Sequence, residues 1–287
     1  MAQIREIKTR MKAVSNIRRI TKTMQMIATS KFARAEHKAV AARPYTLGVF
    51  DLVRELAATA GDVEHPLIQG VPAGADKPEL VLILTSDRGL CGPYNGGVLR
   101  AAMETIKNAP KQPQIELVGK KGVAFLKFKE IPVAKRHSQF GDNPHREDVD
   151  RLAQEYMDRF IAGEISGVRV VSMRYISAGK QNAESLQLLP LKPPATEGAG
   201  PGVSYEFSPP AEELLSELLP VTVKTTLNQL FNEAAVSEHV ARMIAMKAAT
   251  DNAGKMGDRL KRTFNRARQA MITTELTEII SGAAALE

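Results

Sequence analysis

The residues best placed for chemistry are Thr85-Ser86-Asp87-Arg88-Gly89-Leu90-Cys91-Gly92-Pro93-Tyr94-Asn95-Gly96-Gly97, directly after an apolar stretch of strand length. A glycine-rich loop between a strand and a helix can hold phosphate on its backbone amides. This loop has no Gly-Lys-Ser/Thr, so it lacks the lysine and the Mg²⁺-binding hydroxyl of a P-loop. Its glycines, Gly89, Gly92, Gly96 and Gly97, also miss the dinucleotide spacing. A tight crossover turn fits the pattern better than a nucleotide site. Cys91 is the single cysteine, and the five histidines are scattered. Without a convergent His/Asp set it reads as a small buried thiol. One cysteine also excludes an intrachain disulfide and a cysteine-based metal cage. Asp142-Asn143 and Glu147-Asp148-Asp150 gather at a helix start, where carboxylates cap the helix and compensate its dipole. The expectation is a chain with no catalytic residue, no cofactor and no metal of its own.

The elements around this loop divide into ends and middle. From about Gln3 to Thr59 apolar residues recur at three and four: Ile4, Ile7, Met11, Val14, Ile17, Ile20, Met24 and Ile27. That is a helical stripe with coiled-coil character, and the consecutive threes around Ile17 depart from a strict heptad as a stammer. Pro44 is expected to bend or interrupt this helix, with Tyr45 to Ala60 resuming it. The first helix thus spans 1–60, and a Gly/Pro-rich linker spans 61–78.

The period then changes. Strands are expected over residues 79–85, 115–118, around Val133, over 168–176 and over 186–191. Helices are expected over 97–108, 122–128 and 146–162. Strands alternating with helices imply an open α/β sheet, Rossmann-like, over 79–191 with helices on both faces. Residues 192–210 hold five prolines and form a second linker. A last helix occupies 211–287, kinked early by Pro220, with Leu227, Leu230, Phe231, Ala234, Val240, Met243, Ile244, Met256, Leu260, Phe264, Ala267, Met271, Ile279 and Ile280 as its stripe.

At 1.5 Å per residue the terminal helices would be roughly 80–100 Å long. A compact chain of this size has a radius of gyration of only about 19 Å, so they are expected to project from the α/β body. Helices that long need a partner. The expected fold is therefore α + α/β: an antiparallel coiled coil of the N- and C-terminal helices with an inserted open α/β domain. Such a shaft carries spacing or force rather than chemistry.

Charge points the same way. Net charge is +7, with eleven Lys/Arg against two Glu in residues 1–45 and seven against two Asp in 247–268. Basic terminal helices suit an anionic partner surface. From charge, Arg10, Lys31, Arg259 and Arg266 are candidates to meet acidic loops. The basic N-terminal stretch could mimic a mitochondrial transit peptide, but its periodicity runs on past residue 30, as in mature structure. No 18-residue apolar window suggests a membrane span. Two rival readings remain: a nucleotide-binding α/β enzyme with helical arms, and a basic coiled-coil nucleic-acid binder. The charges are not interleaved with aromatics for base stacking, which weighs against the second.

Four blocks carry a specific resemblance: Ile20-Thr21-Lys22-Thr23-Met24-Gln25-Met26-Ile27-Ala28-Thr29-Ser30-Lys31, Ser86-Asp87-Arg88-Gly89-Leu90-Cys91-Gly92, Met243 to Asn252, and Ala267-Arg268-Gln269-Ala270 on through Ile272 to Gly282. Together they span essentially the whole chain, and it resembles the gamma-subunit family of rotary F-type ATP synthases. The resemblance implies a non-catalytic central shaft, one copy per complex, inside a ring of three alpha and three beta subunits. It implies further partners in the epsilon subunit and the membrane ring of c subunits, and none in nucleic acid. Proton flow through that ring would turn the shaft and couple to ATP synthesis or hydrolysis in the beta subunits. On this resemblance Arg268, Gln269, Thr273 and Glu275 face catalytic-subunit loops, with Met24 opposite them on the first helix. Tyr205, Glu206 and Phe207 form the foot on the c ring. The chain lacks the two-cysteine insert of chloroplast relatives and starts at the shaft helix. That implies a peripheral protein on the cytoplasmic face of a bacterial cell membrane.

Overall fold

The computed structural model describes residues 2–60, 65–70, 76–191 and 210–284. The elements are α1 (Ala2–Ala60), α2 (Pro66–Gln69), β1 (Leu80–Leu84), α3 (Tyr94–Asn108), β2 (Gln114–Val118), α4 (Lys120–Phe128), β3 (Lys135–His137), α5 (Arg146–Ile161), β4 (Val168–Ser177), β5 (Lys180–Leu189) and α6 (Ala211–Ala284). The chain divides into two compact units. One combines Met1–Ser30 with Arg242–Glu287, the other is Lys31–Ala241. Both divisions fall inside α1 and α6, away from residues 60 and 211.

The Lys31–Ala241 unit is built on a five-stranded sheet ordered β3-β2-β1-β4-β5. The first four strands are parallel, and β5 returns antiparallel beside β4. Central β1 is buried along its whole length, which is why its sequence is a continuous apolar run. Its Leu80, Leu82 and Leu84 face a core shared with α5, with Val53 and Leu56 of α1, and with Leu215, Leu219, Val223, Leu227 and Phe231 of α6. Val81 and Ile83 face the other core, closed by Tyr94, Val98 and Ala102 of α3 and Leu126 of α4. The expected helices on both faces are therefore present.

Two strands differ from expectation. β3 lies at 135–137, and Val133 packs against the second core without pairing. β5 begins at Lys180 rather than at 186. Its first half, Lys-Gln-Asn-Ala-Glu-Ser, has no apolar alternation; it is held by the hairpin to β4, where Ser177 pairs with Lys180. The first linker contributes α2, whose Leu67 is buried in the first core and whose carbonyl accepts the Leu191 N–H at 2.7 Å.

α1 runs through Pro44 as a helix of 59 residues. Buried Ala39, Thr46, Val49, Val53 and Leu56 stay in one heptad phase across the proline, so packing against the sheet unit outweighs the lost hydrogen bond. α6 likewise contains Pro220 without a break.

In the unit formed by Met1–Ser30 and Arg242–Glu287, two helices lie antiparallel. The Thr250 hydroxyl donates to Thr21 Oγ1 at 2.9 Å, and one turn away Gly254 lies under the Arg18 guanidinium. Counting from the threonine pair puts Val14 level with Gly257, Met11 with Leu260, Ile7 with Phe264 and Ile4 with Ala267. On α6 the shielded positions 246, 250, 253, 257, 260, 264, 267 and 271 keep an unbroken 3,4 alternation; on α1 positions 4, 7, 11, 14, 21, 25 and 28 follow the same phase, with exposed Arg18 at the position between 14 and 21.

The expected stripe is corrected by this register. Ile17, Ile20 and Ile27 are exposed, so there is no stammer. Arg18 and Thr21 occupy the heptad positions instead, because the threonine pair and the glycine opposite give polar groups a place in the seam. On α6, Ile244, Met256, Ile279 and Ile280 are likewise exposed, and Thr250, Ala253 and Gly257 hold the seam.

Candidate functional site

The loop after β1 is folded onto itself. Ser86 N–H donates to Asn95 Oδ1 at 3.0 Å, and Asn95 Nδ2 donates to Ser86 Oγ at 2.7 Å and to Cys91 Sγ at 3.2 Å. Ser86 Oγ donates to the Arg88 carbonyl at 2.7 Å, and Asp87 accepts from Lys120 N–H at 3.1 Å. Thr85 Oγ1 donates to the Val118 carbonyl at 2.7 Å and accepts from Gly122 N–H at 3.0 Å. The polar side chains thus satisfy the turn itself. Cys91 is buried within it, 1% exposed.

The carboxylates near α5 separate. Glu147 and Asp148 lie in its first turn, as dipole compensation requires. Asp142 does not cap the helix; it accepts from Lys31 of α1 at 2.5 Å. The Lys31 hydrogen bond is the main reason its carboxyl is held below the usual range, against the opposing effect of burial.

A buried ionic cluster escaped the sequence reading. Glu116 in β2 is 1% exposed. It meets His137 Nε2 at 2.7 Å, accepts from the Tyr156 hydroxyl at 2.9 Å, and accepts from Arg159 Nη1 at 2.9 Å. Burial pushes its pKa up, but the hydrogen bonds from His137, Tyr156 and Arg159 outweigh burial and hold it below the ordinary value. Burial, then the charge of Glu116, pushes Tyr156 well above its ordinary value. The signal was a glutamate inside an otherwise apolar strand. The cluster joins β2, β3 and α5, and with Glu116, His137 and Tyr156 all buried it ties these elements together.

A long exposed surface lies at the C-terminal end of α6. Ala2, the first described residue of α1, is level with Gln269. From Ile272 to Ala283 every residue of α6 is exposed. Ile272, Leu276, Ile279 and Ile280 are 52%, 57%, 70% and 60% exposed. Their spacing of four, three and one puts them on one helix face. Thr273, Thr274, Glu275, Thr277 and Glu278 form the polar remainder. The threonine hydroxyls donate to carbonyls one turn back, Thr273 to Gln269 at 3.0 Å and Thr277 to Thr273 at 2.8 Å. Their oxygens can still accept from a partner.

Of the expected contact residues, Arg268, Gln269, Thr273 and Glu275 lie together at this end, all exposed. Arg259 and Arg266 are exposed lower on α6, and Arg10 is exposed on α1 with an ion pair to Glu6 at 2.6 Å. Met24 is half-buried beside the seam. Lys31 belongs to the sheet-bearing unit and is engaged by Asp142. Tyr205, Glu206 and Phe207 lie outside the described residues. Among the described residues, no helix is long and apolar enough to cross a membrane.

One unit is a heptad-paired antiparallel helix pair and the other an α/β sheet unit whose glycine-rich loop spends its polar side chains on its own turn. The profile of the ATP synthase family matches residues 3–286. An ATP synthase gamma chain of Rhodopirellula baltica is 42% identical over 297 residues, and one of Desulforamulus reducens is 37% identical over 287; both alignments cover all of each chain. The chain belongs to the ATP synthase gamma-chain family. In fold it is similar to a rotor chain of the Euglena gracilis mitochondrial ATP synthase in rotational state 1, with a TM-score of 0.65 and 19% identity over 94% of this chain and 99% of that one. A chain from the same enzyme's OSCP/F1/c-ring assembly in rotational state 3 gives 0.66 and 18% over 99% and 95%.

Proposed function

We infer that this chain is the central rotor shaft of an F-type ATP synthase. The observation that carries the reading is the end of α6: a helix from Ile272 to Ala283 exposed all round, with four large apolar side chains in the open. Fully burying such residues stabilises by about 1.5–3 kcal/mol each, so an apolar sleeve around them is strongly favoured. The ring of three alpha and three beta subunits supplies that sleeve. The chain owns no catalytic group; ATP chemistry belongs to the beta subunits. Its epsilon partner and the ring of c subunits receive the other end, and one copy serves each complex.

Coupling follows from asymmetry. A shaft shifts a neighbouring site only through contacts that differ between its states. One apolar face and one polar face on α6 present each beta subunit with a different surface at each angle. Arg268, Gln269, Thr273 and Glu275 supply directional polar contacts, and Met24, Arg10, Arg259 and Arg266 extend the surface along the pair. Lys31 would join it only by leaving Asp142. Ring rotation driven by protons turns the shaft toward synthesis; hydrolysis turns it in reverse. The match to bacterial gamma chains supports a place on the cytoplasmic face of a bacterial cell membrane, as a peripheral subunit.

The test is reconstitution with the alpha and beta subunits. The chain should co-purify in one copy with the ring. Gln269→Leu with Thr273→Val should lower ATP turnover of the assembled complex while leaving the free chain's melting unchanged. Failure to assemble would sink the shaft reading, and unchanged turnover would sink the polar contact.

A further inference from the structure

The last turn of α4 carries a side chain that its own fold does not use. Gly122 and Leu126 are buried, and Val123 and Phe125 pack against the second core. Lys120, Lys121, Ala124, Lys127 and Phe128 form the outer face. Phe128 is 80% exposed, more than any other large apolar side chain among the described residues. Lys127 and Lys129 flank it, both exposed.

The strand directions fix where this turn lies. α4 leaves the end of β2 and runs back, and after it the Ala134 N–H donates to the Ile115 carbonyl at 2.8 Å, near the start of β2. Phe128 therefore lies at the end of the sheet where the parallel strands begin. α3 runs back in the same sense on the same face, so exposed Lys107 in its last turn lies at this end too. Exposed Lys77 precedes β1 here. At the opposite end Asp142, after β3, meets Lys31, where α1 enters the unit. Among the described residues, Lys77, Lys107, Lys127 and Lys129 have no ion-pair partner. Lysine in the last turn of a helix compensates the dipole, which accounts for Lys107 and Lys127. It does not account for a phenylalanine standing in water between two lysines.

We propose that this end of the sheet unit docks on an anionic lipid surface, with Phe128 entering the interface and the lysines meeting phosphate headgroups. A phenyl group among flexible lysines suits a bilayer interface: the phenyl reaches the acyl boundary while the cations stay in the headgroup layer. Attraction to an anionic leaflet grows with each lysine near it and needs no fixed geometry. A protein partner fits less well, because the centre of a protein interface is depleted in lysine. The contact is shallow, a docking and not an insertion. On the shaft reading this end lies toward the ring of c subunits and its membrane, and tethering in the complex raises the effective concentration of so weak a contact. The docking itself rests on Phe128 and its lysines, not on that reading.

The chain contains no tryptophan, so Phe128→Trp places a single reporter in the full-length protein. Its emission is read with vesicles of phosphatidylcholine alone and with vesicles of about one-third phosphatidylglycerol, with and without brominated acyl chains. The expected result is a blue shift and bromine quenching with the anionic vesicles only, weakening as salt rises. In the same background, Lys127→Gln with Lys129→Gln should weaken binding by at least about tenfold, since each lysine near the surface counts for roughly fivefold. Lys127→Arg with Lys129→Arg should retain it, which guards against a merely misfolded variant. The helix pair is basic as well, so Ile20→Trp, at an exposed position there, is the control and should stay unquenched. Absence of quenching at Phe128→Trp, equal quenching at Ile20→Trp, or equal binding by the glutamine pair overturns the proposal. A blue shift given by a glutamate-rich peptide and not by vesicles also overturns it and assigns the surface to an acidic protein partner. None of these outcomes needs the alpha and beta subunits, so failure here leaves the shaft reading standing.

Discussion

Thr21 and Thr250 meet hydroxyl to hydroxyl, 2.9 Å apart, in the middle of an apolar seam. The Thr250 hydroxyl also lies 2.8 Å from the Met246 carbonyl, and Thr21 lies 3.0 Å from that of Ile17. Each hydroxyl therefore has a fallback on its own helix. The bond between them exists only in one register, because a shift by a heptad would separate the pair. Their contribution is thus to alignment as much as to stability.

A double-mutant cycle separates those contributions. Thr21→Val and Thr250→Val should each cost about 1 kcal/mol, since each removes a buried hydrogen bond while its partner keeps a fallback. The double variant should cost less than the sum, with a coupling of about 0.5–1 kcal/mol in urea unfolding. Strict additivity would mean that the pair contributes nothing across the seam.

Glu116 makes the sheet unit sensitive to acid. Its pKa is lower in the folded chain than its ordinary value of 4.5. A depressed carboxylate contributes stability that is full above the unfolded pKa and is lost as pH falls through the folded one. The urea midpoint should therefore drop as pH falls below about 4.5, and Glu116→Gln should flatten that dependence. Glu116→Ala should cost about 3–5 kcal/mol at neutral pH by leaving Arg159 without its buried carboxylate. A midpoint with the same acid slope in Glu116→Gln would show that other groups set it.

Two glycines should respond in opposite senses. Gly119 has φ +90°, and a Cβ there would lie 2.1 Å from the Thr85 carbonyl oxygen. Gly119→Ala combines strain with a backbone clash and should destabilise by at least about 3 kcal/mol. Gly96 lies in α3 with nothing within 4 Å of a Cβ. Gly96→Ala should be neutral or stabilise by up to about 1 kcal/mol through helix propensity. Thermal melts of the two variants decide it.

Periodicity located the two long helices and most of the sheet, because apolar residues at regular intervals reflect burial directly. It misjudged which residues fill the seam. Ile17, Ile20 and Ile27 are better hydrophobes than Arg18, Thr21 and Ala28, yet the latter face α6. What decides is the partner's surface, namely Gly254 under Arg18 and Thr250 against Thr21, and one helix read alone does not contain it. The same limit hid the start of β5, which is held by hairpin pairing, and the Glu116 cluster, whose members are spread from residue 116 to 159. Of the exposed apolar face at the tip of α6, the sequence stripe held Ile279 and Ile280 but missed Ile272 and Leu276. Only its exposure revealed that nothing in the described chain covers it.

That exposure separates two truncations. Removing residues 282–287 leaves Ile272, Leu276, Ile279 and Ile280 on the helix, so a sleeve that grips the apolar face keeps its hold. Removing residues 279–287 deletes the two most exposed members of that face, at 70% and 60%. Neither cut touches the seam, which ends at Met271, so melting of the free chain should stay the same for both. ATP turnover of the assembled complex should fall little with the first cut and several-fold with the second. Ile279→Ser with Ile280→Ser should reproduce the second cut without shortening the helix, because it removes apolar area alone. Equal loss from both truncations would place the grip in the last six residues and contradict an apolar face as the bearing surface.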